Sequence, residues 1–350
     1  MHLASDNTGP AHPQVMQALL AANDGYAMPY GADPLMEQVR AQLREIFEAP
    51  EAAVYLVATG TAANALALAT LGQPWQTVFC TPVAHIQEDE CNAPEFYSGG
   101  AKLTLVGNGD RMTAEALANA IAREESRGVH GPQRGPVSIT QVTERGGVYT
   151  TAQITALSEV ARGYGLPLHL DGARFANALE ALGCSPAEMT WKAGVDVVSF
   201  GATKNGCPGV EAVIFFDPAH AQEFEYRRKR GAHLFSKHRY LSAQMAAYLE
   251  GDLWRDSARR ANAACARLAA ALDGAPGVEL RNAPEANILF AAFPRAAHRR
   301  LHEAGAQYYL WEGALEGDDP DEPLVARMVC DWSIRPEAID RFAALVHGPA

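Results

Sequence analysis

The sequence predicts an α/β chain: a mainly parallel seven-stranded sheet with helices on both faces, followed by a smaller C-terminal α+β domain. Two patterns carry that expectation. Between about residues 53 and 216, short apolar runs alternate with helical segments, and such alternation builds a parallel sheet covered on both sides. Beyond about residue 240 the order changes to a long helical stretch and then strand–helix–strand–helix.

Seven apolar runs supply the sheet: Val54–Val57, Thr77–Cys80, Leu103–Val106, Val137–Gln141, Leu166–Leu170, Val195–Phe200 and Ala212–Phe216. Helical periodicity falls between several of them, over Ala62–Thr70, Thr113–Glu124 and Thr151–Tyr164. An Ala- and Arg-rich segment, Leu241–Leu272, reads as a long helix. Ala286–Phe293, Arg295–Glu303, Val325–Cys330 and Pro336–Val346 complete the smaller unit. Gly131–Pro136, rich in Gly and Pro, and Glu316–Pro323, rich in acid, read as solvated loops. The chain then divides into an N-terminal arm (1–25), a large α/β domain (26–240) and a small α+β domain (241–350).

Of 350 residues, 48% are hydrophobic and 20% charged, which is ample for a sizeable core. The opening Met-His-Leu-Ala-Ser-Asp-Asn-Thr lacks the basic and apolar stretches of a signal peptide. No apolar run approaches the ~18 residues of a membrane helix, so a soluble, cytoplasmic protein is expected. A net charge of −12 argues against nucleic acid or an anionic membrane as partner. Cys80, Cys91, Cys184, Cys207, Cys265 and Cys330 are scattered, with no Cys-x-x-Cys. They read as reduced core residues rather than a disulfide framework or a metal site.

Ligands of such sheets bind beyond the carboxyl ends of the strands, so residues just past the apolar runs come first. Phe200-Gly201-Ala202-Thr203-Lys204-Asn205-Gly206 places one lysine among small residues at a strand end. A partly desolvated lysine can stay neutral and bond the aldehyde of pyridoxal 5′-phosphate (PLP), and small neighbours leave room for a flat ring. A surface lysine would look the same in isolation. Asp171 ends another strand, where its carboxylate suits either a protonated pyridine nitrogen or a plain helix cap. Arg174 suits a ring hydroxyl oxygen, a substrate carboxylate or a surface ion pair.

The first strand runs through Ala58-Thr59-Gly60-Thr61-Ala62-Ala63-Asn64 into an apolar helix. Its N–H groups and a hydroxyl can cradle a phosphate, although capping by Thr59 or Thr61 would give the same pattern. Only Gly60 is present, which excludes a dinucleotide fingerprint and a Walker-type loop. His85, after the second strand, can stack on a pyridine ring and move protons, or be structural; His130 lies in a loop. Arg327 interrupts an apolar strand and needs a carboxylate, from a substrate or from the protein. Arg227, Arg228, Lys229, Arg230, Lys237 and Arg239 form a basic cluster. It reads as a solvated helix face or as a subunit interface presenting cations to a neighbour's phosphate.

Taken in order, these residues resemble the threonine aldolase family of fold-type-I PLP-dependent enzymes, with the phenylserine aldolase branch nearest in pattern. The resemblance covers nearly the whole chain. It runs through Ser5-Asp6-Asn7, Tyr30-Gly31, Thr59–Asn64, His85, Asp89–Phe96, Asp171–Phe175, Ser199–Gly206, Arg227–Gln244 and Arg327. It implies an aldolase that cleaves L-β-hydroxy-α-amino acids of the threonine, allo-threonine and phenylserine type to glycine and an aldehyde. It also implies PLP on Lys204, Asp171 at the pyridine nitrogen, and His85 stacked on the ring. Gly60 and Thr61 would hold the phosphate, with Arg239 reaching it from a neighbouring subunit. Ser5, Arg174 and Arg327 would grip the substrate carboxylate, Tyr30 would line the pocket, and His130 would assist at the substrate hydroxyl. No metal is implied. A homotetramer built from dimers with shared active sites would account for the basic cluster.

The chain departs from the family pattern at Cys207-Pro208-Gly209, in the long Tyr308–Pro323 segment with its Trp311, and at Asp331-Trp332. These changes bear on the aldehyde side of the substrate. Asp171, Arg174 and Lys204 would equally serve a β-eliminating lyase or an aminotransferase, and a PLP-binding protein without catalysis would keep them too.

Overall fold

In the computed structural model, which describes residues 1–124 and 126–348, the seven apolar runs become seven strands. These are β1 (Ala53–Val57), β2 (Gln76–Cys80), β3 (Lys102–Leu105), β4 (Gln133–Thr140), β5 (Leu168–Gly172), β6 (Val197–Gly201) and β7 (Glu211–Phe215). They lie in the order β1-β7-β6-β5-β4-β2-β3. β7 is antiparallel to both neighbours, and the remaining pairs are parallel.

Successive side chains of a strand face opposite ways, so the sheet feeds two cores. Val54 and Leu56 of β1 and Ala212 and Ile214 of β7 enter one; Tyr55, Val57, Val213 and Phe215 enter the other. The first core is closed by helices Pro34–Ile46, Thr151–Gly163, Phe175–Leu182 and Arg239–Leu249, the second by Gly60–Leu71 and Ala221–Arg230. Helix Gly60–Leu71 is buried continuously from Ala62 to Thr70, as a helix that is apolar all round must be. Each fully buried Leu, Ile, Val or Phe contributes roughly 1.5–3 kcal/mol.

A second sheet holds β8 (Glu279–Leu280), β9 (Ile288–Pro294), β10 (Tyr309–Glu312) and β11 (Pro323–Val329), all antiparallel, in the order β10-β11-β9-β8. One face packs on Leu268, Leu301 and Phe342 from helices Leu253–Leu272, Arg295–Glu303 and Pro336–His347. Leu3 joins this core. The opposite face carries Ile288, Phe290, Ala292, Val325 and Val329.

The structure corrects several expectations. Gly131–Pro136 is not a loop throughout, because β4 begins at Gln133. A Cβ on Gly135 would come within 2.5 Å of the Thr77 carbonyl oxygen, so this glycine serves close strand approach rather than a turn. Leu241–Leu272 is two helices, broken where Gly251 and Asp252 adopt φ of 58° and 62°. The short strands β8 and β10 carry no sequence signal, while 316–323 is exposed as expected of a solvated loop. All six cysteines are free; four are buried, Cys184 is half-buried, and Cys91 is exposed rather than in the core. Among the described residues no His, Cys, Asp or Glu cluster is arranged for a metal, and no helix is long and apolar enough to cross a membrane.

Candidate active site

The carboxyl ends of β1, β2, β4, β5 and β6, together with the start of antiparallel β7, open on one edge of the large sheet. Lys204 sits there in the 3₁₀ turn Thr203–Asn205, directly after β6. The turn is tied on three sides. Ala202 N donates to Glu211 Oε2 at 2.7 Å, Val210 N donates to Thr203 Oγ1 at 3.1 Å, and Asn205 Nδ2 donates to Tyr248 Oη and the Trp254 carbonyl at 2.7 Å each. Burial and then the Arg174 charge pull the Lys204 ammonium below the usual lysine range, against Asp6, Asp171 and Glu211. That shift favours the neutral, nucleophilic amine.

Asp171 closes β5 and is buried. Its Oδ1 accepts from Ala173 N at 3.0 Å and its Oδ2 from Asn64 Nδ2 at 2.8 Å. Asn64, in the first turns of helix Gly60–Leu71, also donates to Glu90 Oε1 at 2.9 Å. Glu90 Oε1 in turn meets His85 Nδ1 at 2.9 Å. Four residues from three segments thus form one bonded chain. The Glu90 hydrogen bond raises the His85 imidazole pKa above its ordinary value. Glu144 Oε1 accepts from His85 N at 2.7 Å and from Thr140 Oγ1 at 2.9 Å, and burial pushes its carboxyl up to about 7. Burial does the same to Glu211, also to about 7. Sequence reasoning missed Glu144 and Glu211, and quoted Asn64 and Glu90 without a role.

Gly60 and Thr61 begin their helix, which Thr59 caps by accepting from Ala62 N at 3.2 Å. A Cβ on Gly60 would meet nothing within 4 Å, so the helix start faces open space with N–H groups to offer. This edge fits PLP: an open phosphate cradle, a buried carboxylate, an imidazole and a lysine of lowered pKa.

At the substrate end, Arg174 is not a surface residue but is buried in an ion pair with Asp6, Nε–Oδ2 2.6 Å and Nη2–Oδ1 2.9 Å. Arg327 shares a face of the small sheet with its cross-strand partner Phe290. Among the described residues it has no ion pair or hydrogen bond with a protein side chain, and burial and Arg174 lower its pKa. A half-buried cation without a protein carboxylate is a place for a ligand carboxylate. Ser5 Oγ accepts from Asn7 N at 3.1 Å, capping the turn Asp6–Thr8.

Other predicted residues are not gathered here within one chain. Arg239 Nη1 donates to the Gly25 carbonyl at 3.0 Å. Tyr30, exposed and with φ of 58°, lies under Lys229 at 4.8 Å. His130 ends the turn Gly128–His130, just before the amino end of β4. The length of β4, roughly 26 Å at about 3.3 Å per residue, separates it from the edge that holds Lys204. Arg228 is no part of a solvated face: it is buried over the Tyr55 ring at 4.9 Å, and burial lowers its pKa to about 10.

The departures from the family pattern are also accommodated. Gly209 N donates to Gln244 Oε1 at 2.9 Å, which anchors the Cys207–Gly209 turn. Trp332 packs on His12 at 4.7 Å, and His12 N donates to the Gly206 carbonyl at 2.8 Å. Trp311 meets Phe290 edge-on at 5.4 Å.

The comparisons agree with this geometry. A family model described as beta-eliminating lyase matches residues 2–293. The low specificity L-threonine aldolases of Pseudomonas sp. (strain NCIMB 10558) and Pseudomonas aeruginosa are 38% and 40% identical, over 97% of this chain and 95% of each relative. The structure of Leishmania major threonine aldolase superposes with a TM-score of 0.90 at 25% identity, covering 98% of this chain and 97% of that one. On its sheet order, its site and these matches, the chain belongs to the beta-eliminating lyase family of fold-type-I PLP-dependent enzymes, alongside the low specificity L-threonine aldolases.

Proposed function

We propose that this chain is a PLP-dependent aldolase that cleaves L-β-hydroxy-α-amino acids between Cα and Cβ, giving glycine and an aldehyde. The observation that carries this reading is the gathering of Lys204, Asp171 and His85 on one sheet edge, together with an arginine, Arg327, that is bonded to no protein carboxylate and lies within electrostatic reach of Arg174 and Asp6. When bound, PLP supplies an electron sink for the pair left on Cα as the bond breaks.

The chain's own residues do the rest. Lys204 would hold the cofactor through Nζ, Asp171 its pyridine nitrogen, and the Gly60 and Thr61 N–H groups its phosphate. Arg327, with Arg174 and Ser5, would fix the substrate carboxylate and so turn the Cα–Cβ bond perpendicular to the ring. His85, bonded through Nδ1 to Glu90, would receive the β-hydroxyl proton on Nε2 as that oxygen becomes a carbonyl. His130, at the far sheet edge, is left without a role in its own chain.

Arg239 and Tyr30 bond away from the Lys204 cluster, and we assign them to a neighbour's site in a homotetramer with shared active sites. The enzyme would be cytoplasmic, with amino acids rather than nucleic acid as partners. Its aromatic pair Phe290 and Trp311, near Arg327, suits phenylserine-type side chains.

The test is direct. The purified protein is scanned in the visible, given L-threonine or L-threo-phenylserine, and assayed for glycine and aldehyde. Yellow protein releasing both is the expected result, and Lys204→Ala should be colourless and inactive. Keto acid in place of aldehyde would favour the β-eliminating reading, which the family description also fits, or the aminotransferase one. Wild-type protein that stays colourless with added PLP would overturn the role of Lys204.

A further inference from the structure

Glu90 is buried, with 4% of its surface exposed, yet its Oε1 serves two partners: His85 Nδ1 and Asn64 Nδ2, each at 2.9 Å. An ionised carboxylate only accepts hydrogen bonds. Burial raises the Glu90 pKa, and the His85 and Asn64 hydrogen bonds work against that rise and favour the charged form. With Glu90 ionised, the imidazole contact requires a hydrogen on Nδ1, which leaves Nε2 of the neutral ring as the lone-pair nitrogen. Asn64 is fixed as well. Its amide carries two hydrogens, and both are committed, one to Glu90 Oε1 and one to Asp171 Oδ2 at 2.8 Å. The reverse amide orientation would aim its oxygen at two carboxylates, so the network itself decides the assignment. Two buried acids, 81 residues apart in number (171 − 90), share one donor that stands between them.

Four titratable groups surround His85: Glu90 at Nδ1, Glu144 at its backbone N–H, and Asp171 and Lys204 through space. Glu90 is the one bonded to the ring.

From this geometry, and resting on the reading of the site given above, we propose that Glu90 is a positioning residue that sets the His85 tautomer, with Asn64 tying that setting to Asp171. Its carboxylate holds the proton on Nδ1, turns Nε2 toward the position of a substrate hydroxyl, and stabilises the imidazolium formed when Nε2 takes a proton. Asn64 keeps the Asp171 and Glu90 carboxylates bridged rather than opposed.

The experiment uses protein purified with its cofactor and labelled with 15N-histidine, with the His85 signals identified by their loss in His85→Asn. In the wild type we expect hydrogen on Nδ1 and a free Nε2. Glu90→Gln can donate as well as accept, so it should mix the two tautomers and lower the His85 pKa by about one unit or more. The acid limb of kcat should shift with it while KM for the amino acid stays within about threefold, and Glu90→Asp should restore most of the tautomer preference. A wild-type ring protonated on Nε2 overturns the proposal without any variant. So does a folded Glu90→Gln protein whose His85 tautomer and pKa are unmoved. These signals do not depend on turnover: the expected tautomer in a protein that releases no aldehyde would refute the aldolase reading and leave this inference standing.

Discussion

Asp6 and Arg174, 168 positions apart, face each other in the interior through two bonds of 2.6 and 2.9 Å. Asn287, just before β9, donates a third bond to the same carboxylate, Asp6 Oδ2, at 3.2 Å. One carboxylate thus joins the N-terminal segment, the large sheet and the small sheet. It orients the Arg174 fork from behind and sits between two arginines and a lysine that would otherwise repel one another.

Removing that carboxylate leaves a buried guanidinium unpaired, which costs about 3–5 kcal/mol. Asp6→Asn should lose that much stability in a urea titration, and KM for the amino acid should rise as Arg174 loosens. The pH dependence has a definite sign. Burial pushes the Asp6 carboxyl up, but Arg174 and Lys204 outweigh it and hold the pKa below the ordinary 3.8. The pair's stabilisation is therefore fully present above that ordinary value, and it fades only as pH falls through the lower, folded one. The gap between wild type and Asp6→Asn should be flat from pH 8 down to about 4. A gap that closes by pH 6 would contradict the assignment.

Arg327 forms no direct ion pair among the described residues, Asp6 and Asp89 acting on it only through space, so its fork is available to a substrate. Arg327→Lys keeps the charge and loses the bidentate geometry. Charge-assisted hydrogen bonds of this kind are worth about 1.5–3 kcal/mol, so KM for the amino acid should rise roughly 10- to 100-fold. PLP affinity, followed by absorbance, should stay as in wild type. A weakened cofactor with unchanged KM would place Arg327 elsewhere in the chemistry.

Gly201, the last residue of β6, shows how tightly the fold sets the site. A Cβ there would meet the Ala173 backbone at 2.6 Å from O and 2.8 Å from Cα. Backbone cannot swing aside as a long side chain can, so Gly201→Ala should cost about 1–3 kcal/mol as an overpacked position. It should also displace the segment joining Asp171 to Arg174, and weaken PLP binding roughly tenfold. Denaturation and a PLP titration on the same preparation would check both.

What was legible in the sequence was local. The strand runs were read from apolar stretches, and Lys204, Asp171, His85 and Gly60 from their position just past strand ends, because β-to-turn transitions leave a signature within a few residues. Asp6 at Arg174 escaped because no local pattern announces a pairing across 168 positions. Glu90 and Glu211 escaped because a buried acid and an exposed one look alike until the partner is known. The break at Gly251 and Asp252 was hidden by helical periodicity that continues on both sides. Gly135 carries a turn signal in the sequence, yet it lies inside β4 and serves close strand approach.

Glu211 offers a pH test of a different sign from Asp6. It is buried at the start of β7, its Oε2 accepts from Ala202 N at 2.7 Å, and burial raises its pKa from the ordinary 4.5 to about 7. For an acid shifted upward, the folded state binds the proton more tightly than the unfolded one. Below about pH 4.5 both states are protonated and nothing is lost; between 4.5 and about 7 stability falls as pH rises, and above 7 the loss is constant. Glu211→Gln keeps an acceptor for Ala202 N–H and has nothing to ionise. It should therefore match wild type near pH 4, and exceed it near pH 8 by no more than a few kcal/mol. Urea denaturation of the cofactor-free proteins at both pH values reads the difference. If Glu211→Gln is the less stable protein at pH 8, the charged carboxylate is a net stabiliser of the Lys204 turn and the burial argument fails.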